Sequence, residues 1–412
     1  MNILLVSSYL PYPLYSGGHI RLYNLIKRLS KKHHITLICE QRSYQTKKHI
    51  QEVEKFCTKL ITITRKKQWS LTNIVKTGFS SQSFLITGHT LPEMKEFILR
   101  ELSRQSFDLI HAETFYIMQN IPETTIPLVL AEHNIEYLVY KRYAANFSAL
   151  ARPLLEIDIL KIKKYEEACW KRATKLVAVS QVDKEIMGRQ DVQIVPNGVD
   201  LKKFQISNIK FQMSNKEKRV LFIGDFQWLQ NKDAVKWILK DIWPTLNSEL
   251  RTQNLEQNIK LWIVGKNIPS SIKKLTHDQS VIFDENAPKE TEKIYQQADV
   301  LLAPIRVGGG TQYKILEAMA SGVPVITTPL GIAGLEVKPQ KEVLVANSVE
   351  EFVEKLQEIV ENKKLREELV QNARRAIEKY YDWDKITEKL DEVYEAVKST
   401  NDESRETRDY RR

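Results

Sequence analysis

The stretch from Arg306 to Thr328 carries the pattern with the most specific chemical meaning in this chain. Three glycines, Gly308–Gly310, follow a run typical of a buried strand, and a helical pattern containing Lys314 and Glu317 begins directly after them. Amides at a helix N-terminus carry about half a positive charge, and glycine lets a phosphate approach the backbone. The Glu317 carboxylate could accept hydrogen bonds from two sugar hydroxyls. The pattern indicates a nucleotide site, and the alternative is a flexible turn followed by a surface glutamate.

Polar side chains also follow two apolar runs in the first half of the chain. His111 and Glu113 end FDLIHAE, and His133 lies near the end of PLVLAEHN. A histidine at the end of a strand can act as a proton carrier or stabilise charge. The alternative interpretation is that His133 is a structural histidine and that His111 and Glu113 are ordinary polar residues at a strand end.

Alternating strand and helix patterns surround these residues. A series of such units gives right-handed crossovers and a parallel, doubly wound sheet, which binds ligands at the carboxyl ends of its strands. The predicted strands are Ile3–Ser8, Ile35–Cys39, Leu60–Thr64, Phe107–Glu113, Pro127–Asn134, Lys175–Ser180, Arg219–Phe226, Lys260–Gly265, Val281–Glu285, Val300–Ile305, Pro324–Pro329 and Val343–Ala346.

A polar, aperiodic stretch from Gln205 to Lys218 interrupts this series and is typical of a linker. We therefore predict one domain over residues 1–204 and a second over residues 205–383. A helix is predicted over residues 384–398, and the polar residues 399–412 are predicted to be disordered.

Composition narrows the class of protein. The chain has 412 residues, of which 42% are hydrophobic, so two domains with sizeable cores are expected. It contains no run of 18 apolar residues and no secretory leader at its start, so we expect a cytoplasmic protein. Cys39, Cys57 and Cys169 lack metal-site spacing, which predicts reduced thiols with no zinc and no disulfide.

The net charge of +10 is concentrated in the first half, where residues 1–200 hold 28 Lys and Arg against 19 Asp and Glu. Such an imbalance suits an anionic partner. The basic helix near the start could rest on an anionic membrane, or it could simply pack on its own sheet. Nucleic acid is not expected, because no basic-aromatic module is present. The charges of that helix are Arg21, Lys27, Arg28, Lys31 and Lys32.

Taken together, these motifs resemble glycosyltransferase family 4, the group 1 glycosyltransferases with the GT-B fold. The resemblance rests on LEAMASGVPVITT after the glycine loop, on the Gly17-Gly18 pair, on EHN at residues 132–134 and on VPNGVD at residues 195–200. FIGDFQWLQNKDAV and TPLGIAGLE are similar to a subgroup that acts on bacterial polysaccharides.

The resemblance implies an α/β GT-B fold, in which two Rossmann-like doubly wound domains face each other across a cleft and the final helix packs back on the first domain. It implies transfer of a sugar from a nucleoside-diphosphate sugar to a hydroxyl of a glycan or lipid-linked acceptor, with retention and without a metal. The nucleotide sugar is then a substrate and no cofactor is expected. The implied catalytic residues are His133, Glu317 and Lys314. The implied donor-binding residues are Gly17, Gly18, Arg306, Gly308, Gly309, Gly310, Thr311, Gly265 and Lys266, with His111 and Glu113 on the acceptor side.

One departure leaves alternatives open. The family often has two glutamates separated by seven residues, and the position of the first is occupied here by Gly309. A non-catalytic nucleotide-sugar-binding protein or a GT-B nucleotide-sugar epimerase therefore remains an alternative to the transferase. We expect the protein in the cytoplasm, with a peripheral place at the inner membrane face if the basic helix binds lipid.

Overall fold

The computed structural model describes most of the chain, which divides into two compact units. The units comprise Met1–Asn197 with Trp383–Arg412, and Gly198–Asp382. The described residues are 1–65, 73, 77–78, 80–144, 152–206, 217–252, 259–288, 290–308 and 310–409, with backbone alone for 251–252 and 401–409. Gly309 and most of the predicted linker lie outside the described residues, and the exact domain boundaries stay predictions.

The first unit is built on a parallel sheet with the strand order β3-β2-β1-β4-β5-β6-β7 within the described residues. Leucine and isoleucine are the commonest residues of these strands because helices cover both faces of such a sheet. The strands are β1 (Asn2–Ser7), β2 (His34–Gln41), β3 (Lys59–Thr64), β4 (Leu109–Glu113), β5 (Leu128–Ala131), β6 (Lys175–Ala178) and β7 (Gln193–Ile194).

The helices of this unit connect successive strands and alternate with them along the chain. They are α1 (Gly17–Leu29), α2 (Lys47–Glu54), α3 (Phe84–His89), α4 (Pro92–Arg104), a 3₁₀ helix (Phe115–Asn120), α5 (Glu136–Ala144), α6 (Arg152–Arg172) and α7 (Gln181–Met187).

The second unit repeats this architecture, with the parallel strand order β10-β9-β8-β11-β12-β13. Its strands are β8 (Lys218–Ile223), β9 (Ile259–Val264), β10 (Val281–Asp284), β11 (Val300–Ala303), β12 (Val325–Thr327) and β13 (Leu344–Val345). Its helices are α8 (Leu229–Trp237), a π-helical turn (Ile238–Ile242), α9 (Trp243–Thr252), α10 (Ser270–Lys273), α11 (Thr291–Tyr295), α12 (Tyr313–Ala320), α13 (Val349–Glu361) and α14 (Lys363–Tyr380).

The predicted fold class is confirmed in each unit. Every strand predicted from the sequence is present, with ends displaced by a few residues, and among the described strands only the two-residue β7 was not predicted. The strand order reverses between β1 and β4 in the first sheet and between β8 and β11 in the second. Open parallel sheets bind ligands beside the carboxyl ends of the strands at such reversals. The topology therefore directs attention to the residues that follow these four strands.

Helix α1 packs on its own sheet through the apolar positions that the sequence spacing predicts. Leu22, Leu25, Ile26 and Leu29 are all buried, and Arg21 is buried with them. Since a stripe of this width covers about 100° of a helix, the pattern fixes which face meets the sheet.

The last helix, α15 (Trp383–Asp409), belongs to the first unit, where it contacts α1 and β4. Arg28 pairs with Asp384 at 2.5 Å, and Lys32 pairs with Asp391 at 2.7 Å. Two of the basic residues considered for membrane binding are therefore paired with carboxylates of the same unit. The helix continues to Asp409, through most of the segment for which disorder was predicted, because extending an existing helix costs far less than starting one.

Among the described helices, none is long and apolar enough to cross a membrane.

Candidate functional site

Glu113 is the centre of a polar cluster at the sheet reversal of the first unit. It is the last residue of β4, and it lies in register with Ser7 at the end of β1. Its side chain is fully buried. Burial alone would raise the pKa of this carboxyl, but the adjacent His133 and His111 outweigh burial and lower it well below its usual range. Glu113 is therefore an anion held inside the unit.

Both predicted histidines contact this carboxylate, one on each oxygen. His133 Nε2 lies 2.6 Å from Oε1, and His111 Nε2 lies 2.7 Å from Oε2. On its other side, the His111 ring contacts helix α15, with Nδ1 2.7 Å from the hydroxyl of Tyr394. The structure thus brings His111, Glu113 and His133 together, and adds Tyr394, which no sequence pattern singles out.

A buried guanidinium compensates the charge of Glu113. Arg21 Nε lies 3.9 Å from Glu113 Oε1, and both side chains are almost completely inaccessible to solvent. Arg21 Nη1 donates to the backbone oxygen of Pro196 at 2.8 Å and approaches Asn197 Oδ1 at 3.3 Å. A buried anion is tolerated when a cation and hydrogen bonds surround it. Arg21, predicted to lie on a basic surface, is instead part of this interior cluster.

Gly18, the second glycine of the predicted pair, lies beside His133. Helix α1 begins at Gly17, and a methyl group added at Gly18 would lie 3.0 Å from the Tyr9 hydroxyl and 3.4 Å from His133 Nδ1. His19, in the same first turn, bonds Ser16 Oγ through Nδ1 at 2.6 Å. Burial, and secondarily Arg42, lowers the pKa of His19 to about 4, so this ring is neutral at pH 7. Gly18 therefore lets the start of α1 pack closely against the histidine.

Backbone strain marks the same edge of the sheet. Thr114 directly follows Glu113 and has φ 71° with ψ 152°, a conformation used almost only by glycine. Its hydroxyl is buried and, among the described residues, has no hydrogen-bond partner. Strain of this kind costs about 1–3 kcal/mol and concentrates at functional sites.

The second unit carries its own cluster beside the reversal between β8 and β11. Gly308 has φ 108° and Gly310 has φ 73°, so both turn the chain through conformations that other residues rarely adopt. Helix α12 starts at Tyr313, and its N-cap residue, Gln312, makes no side-chain cap. Its first amides therefore have no cap from that side chain, which is the arrangement that the glycine pattern predicts. Thr311 is half-buried in this loop.

Lys314 and Glu317 lie one turn apart on α12 and are half-buried. Lys314 Nζ contacts Asn231 Oδ1 at 2.6 Å and lies 4.6 Å from the centre of the Phe222 ring. Burial lowers the pKa of Lys314 to about 7, although Glu317 acts in the opposite direction. Burial likewise raises the pKa of Glu317 to about 7, opposed by a hydrogen bond from the Tyr295 hydroxyl at 3.0 Å. Both groups can change charge near neutral pH.

Arg306 has protein partners on α8. Its guanidinium forms two hydrogen bonds with the Asp233 carboxylate, at 2.9 and 3.1 Å. It also lies over the Trp237 ring, 4.4 Å from its centre. The charge of Arg306 is thus already balanced by a carboxylate, which the sequence could not reveal because Asp233 is 73 positions away.

Gly265 and Lys266, predicted beside the nucleotide base, follow β9. A methyl group on Gly265 would lie 1.9 Å from the backbone oxygen of Gly224. This glycine is therefore required for the close approach of two loops at the carboxyl edge of the sheet. Lys266 is exposed, and its backbone oxygen accepts a hydrogen bond from Phe226.

Sequence reasoning missed three residues that position the predicted ones: Tyr394, Asn231 and Tyr295. Asn231 is held by its side-chain amide, which donates to the Asp225 backbone oxygen at 2.7 Å. Its one signal in the sequence was its place in FIGDFQWLQN, within a stretch already matched to the family. Tyr394 and Tyr295 had no signal, since buried tyrosines are common in helices that pack on sheets.

Comparison with known proteins gives one family match in each half of the chain. Residues 217–362 match the family Glycosyl transferases group 1, and residues 15–203 match Glycosyltransferase Family 4. An uncharacterised 44.6 kDa protein in the cps region of Klebsiella pneumoniae is 23% identical over 403 residues, covering 93% of this chain and 97% of that protein.

Solved structures show the same fold. Sucrose-phosphate synthase from Thermosynechococcus elongatus is 16% identical, with a TM-score of 0.68 over 97% of this chain and 100% of that one. HepE from Anabaena, in complex with UDP and glucose, is 13% identical, with a TM-score of 0.62 over 96% of this chain and 100% of that one. These likenesses confirm the predicted GT-B fold class.

Proposed function

Since the chain belongs to the group 1, family 4 glycosyltransferases, we propose that it moves a sugar from a nucleoside-diphosphate sugar to a hydroxyl of a glycan or lipid-linked acceptor, retaining the anomeric configuration. The observation that carries the donor part of this proposal is the pair Lys314 and Glu317 behind the turn at Gly308 and Gly310. It combines a cation, a carboxylate and helix-terminal amides at the sheet edge where such folds bind ligands.

Each of these groups has a role in the proposed chemistry. Breaking the anomeric bond leaves negative charge on the diphosphate, and preorganised donors at that position lower the barrier. Lys314 and the first amides of α12 would stabilise this leaving group, while Glu317 would accept hydrogen bonds from ribose hydroxyls. Charge balance by these groups requires no metal ion. Arg306 contributes only if the diphosphate displaces Asp233, its present partner.

The first unit would contribute the acceptor side of the reaction. In a front-face mechanism a donor phosphate oxygen takes the acceptor proton, so no protein nucleophile is needed. His133 would orient the reacting sugar or stabilise charge beside it, with its Nδ1 directed to the first turn of α1. A relative encoded in a cps region supports a role in polysaccharide biosynthesis, which would place the enzyme in the cytoplasm.

The donor is tested by ligand-dependent stabilisation. UDP-, GDP-, ADP- and CMP-sugars are added to the wild type and to Lys314→Met, and thermal unfolding is recorded. A bound donor at 100 times its dissociation constant stabilises by about 2.7 kcal/mol. We expect one class to stabilise the wild type and to lose most of that effect in the variant. Equal stabilisation of both proteins would remove Lys314 from the donor site.

The reaction is tested by product analysis with the donor so identified. Nucleotide release is measured in the wild type, in His133→Ala and in His277→Ala, which changes an exposed histidine of the second unit. We expect a large loss of release only in His133→Ala, an unchanged rate in EDTA, and a product with retained anomeric configuration. Free epimerised sugar would favour the epimerase, and background release by all three proteins would favour a binding protein.

A further inference from the structure

A continuous chain of hydrogen bonds joins the last helix to His133. Tyr394 contacts His111 Nδ1 at 2.7 Å, His111 Nε2 contacts Glu113 at 2.7 Å, and Glu113 contacts His133 Nε2 at 2.6 Å. Tyr394, His111 and Glu113 are almost fully buried, and His133 is the one member with appreciable exposure, 15% of its side chain. The chain therefore leads from the interior to the candidate site.

The protons in this chain have one consistent arrangement when both rings are neutral. An ionised carboxylate only accepts hydrogen bonds, so Glu113 requires a proton on Nε2 of both histidines. The Nδ1 of His111 is then an acceptor, and the Tyr394 hydroxyl can satisfy it as a donor. By the same reasoning, His133 keeps an accepting Nδ1, and this is the atom that faces Gly18 at the start of α1.

Arg21 places a cation beside the carboxylate that both rings contact. Its guanidinium supplies the positive charge that a buried Glu113 requires, and it is anchored by Pro196 and Asn197. The cluster is thus organised to hold a charge in place and to fix ring nitrogens.

We propose that Glu113 is a positioning residue that fixes the tautomer and orientation of His133, and that Tyr394 assists it through His111. The functional consequence rests on the proposed function, in which an accepting Nδ1 on His133 meets a donor or acceptor hydroxyl. Glu113 itself is fully buried, and each of its two carboxylate oxygens contacts one of the histidines. A second-layer carboxylate of this kind sets which nitrogen of a histidine carries the proton.

Glu113→Gln tests the proposal with little change of shape. The amide presents one acceptor and one donor, so one ring must give up its Nε2 proton or its hydrogen bond. We expect kcat to fall about 100-fold or more, as when the orienting carboxylate of a catalytic histidine is replaced by an amide, with the KM for the donor almost unchanged. Tyr394→Phe should lower kcat less and should keep its fold, because only a hydroxyl is removed.

Ring-nitrogen NMR of ¹⁵N-histidine-labelled protein supplies a readout that needs no activity. In the wild type, His111 and His133 should both show the Nε2-protonated form, and Glu113→Gln should change at least one of them. Glu101→Gln is the matched control, since Glu101 is equally buried in the same unit but pairs with Lys59. It should alter neither spectrum nor kcat.

The outcomes separate this proposal from the proposed function. If the wild type transfers no sugar, the spectra still decide whether Glu113 fixes the rings. Wild-type rings protonated on Nδ1, or spectra and kcat left unchanged in a folded Glu113→Gln protein, would overturn the positioning role. A change in the KM for the donor alone, with kcat unchanged, would also overturn it.

Discussion

Replacing Lys314 by methionine should stabilise the ligand-free protein at neutral pH, although it removes a hydrogen bond. Burial lowers the pKa of Lys314 from 10.5 to about 7. Between these two pH values the unfolded chain binds a proton at this lysine that the folded protein does not bind. Stability from this group therefore rises as the pH increases from 7 to 10.5, and at pH 7 the deficit is close to the full size that it reaches at lower pH.

The size of the effect follows from these values. A lysine that titrates near 7 instead of 10.5 costs about 4 kcal/mol at pH 7. Methionine removes that cost and can pack on the Phe222 ring, but it leaves Asn231 Oδ1 without its donor, at a cost of about 1–2 kcal/mol. We expect a net gain of about 2–3 kcal/mol at pH 7 and a loss of about 1–2 kcal/mol near pH 10.5.

Urea unfolding followed by tryptophan fluorescence at pH 7 and near pH 10.5 measures both values. Lys236→Met is the control, because Lys236 is exposed on a helix of the same unit. It should change stability little at either pH. The reasoning is refuted if Lys314→Met is less stable than the wild type at pH 7, or if the difference between the two proteins does not change with pH.

Three glycine-related changes test the geometry of the two sheet edges. Gly265→Ala should lower the free energy of unfolding by about 3 kcal/mol or more, because its methyl group would lie 1.9 Å from the Gly224 backbone oxygen; a urea midpoint equal to the wild type would contradict the close approach. Thr114→Gly should raise stability by about 1 kcal/mol by relieving the strain at φ 71°, and calorimetry showing a loss would argue against that strain. Gly18→Ala, whose methyl group would lie 3.0 Å from the Tyr9 hydroxyl, should reduce sugar transfer far more than it reduces the melting temperature, and equal activity would show that the backbone at this turn has no role.

The strands of the sheets could be predicted from the sequence, but the partners of the charged residues could not. Runs such as ILLVSS predict a buried strand because each residue's apolar character is local information. The partners of charged residues are not local. Arg21 reads as part of a basic helix face, yet it lies inside the unit beside Glu113, which is distant in sequence and adjacent only because β1 and β4 are neighbours.

The glycines show the same division between local and distant information. Gly308 and Gly310 were predicted as a turn, and their positive φ values agree, because that conformation is a property of the residue itself. Gly265 was predicted to bind nucleotide, but its most direct constraint is the backbone of Gly224, 41 positions earlier. No pattern within one loop can reveal which other loop approaches it.

The two clusters differ in what surrounds their charges, and this difference assigns them different roles. Glu113 lies among a guanidinium and two imidazoles, so its charge is fixed and it can orient a neighbour at any pH near neutral. Lys314 and Glu317 form hydrogen bonds with neutral groups, the amide of Asn231 and the hydroxyl of Tyr295. Burial brings the pKa of each group to about 7, so each is only partly charged at pH 7, and an anion placed beside Lys314 would favour its protonated form. A site that must bind a diphosphate and later release it benefits from a cation whose charge depends on the ligand. A site that must orient a histidine benefits instead from a carboxylate whose charge does not change.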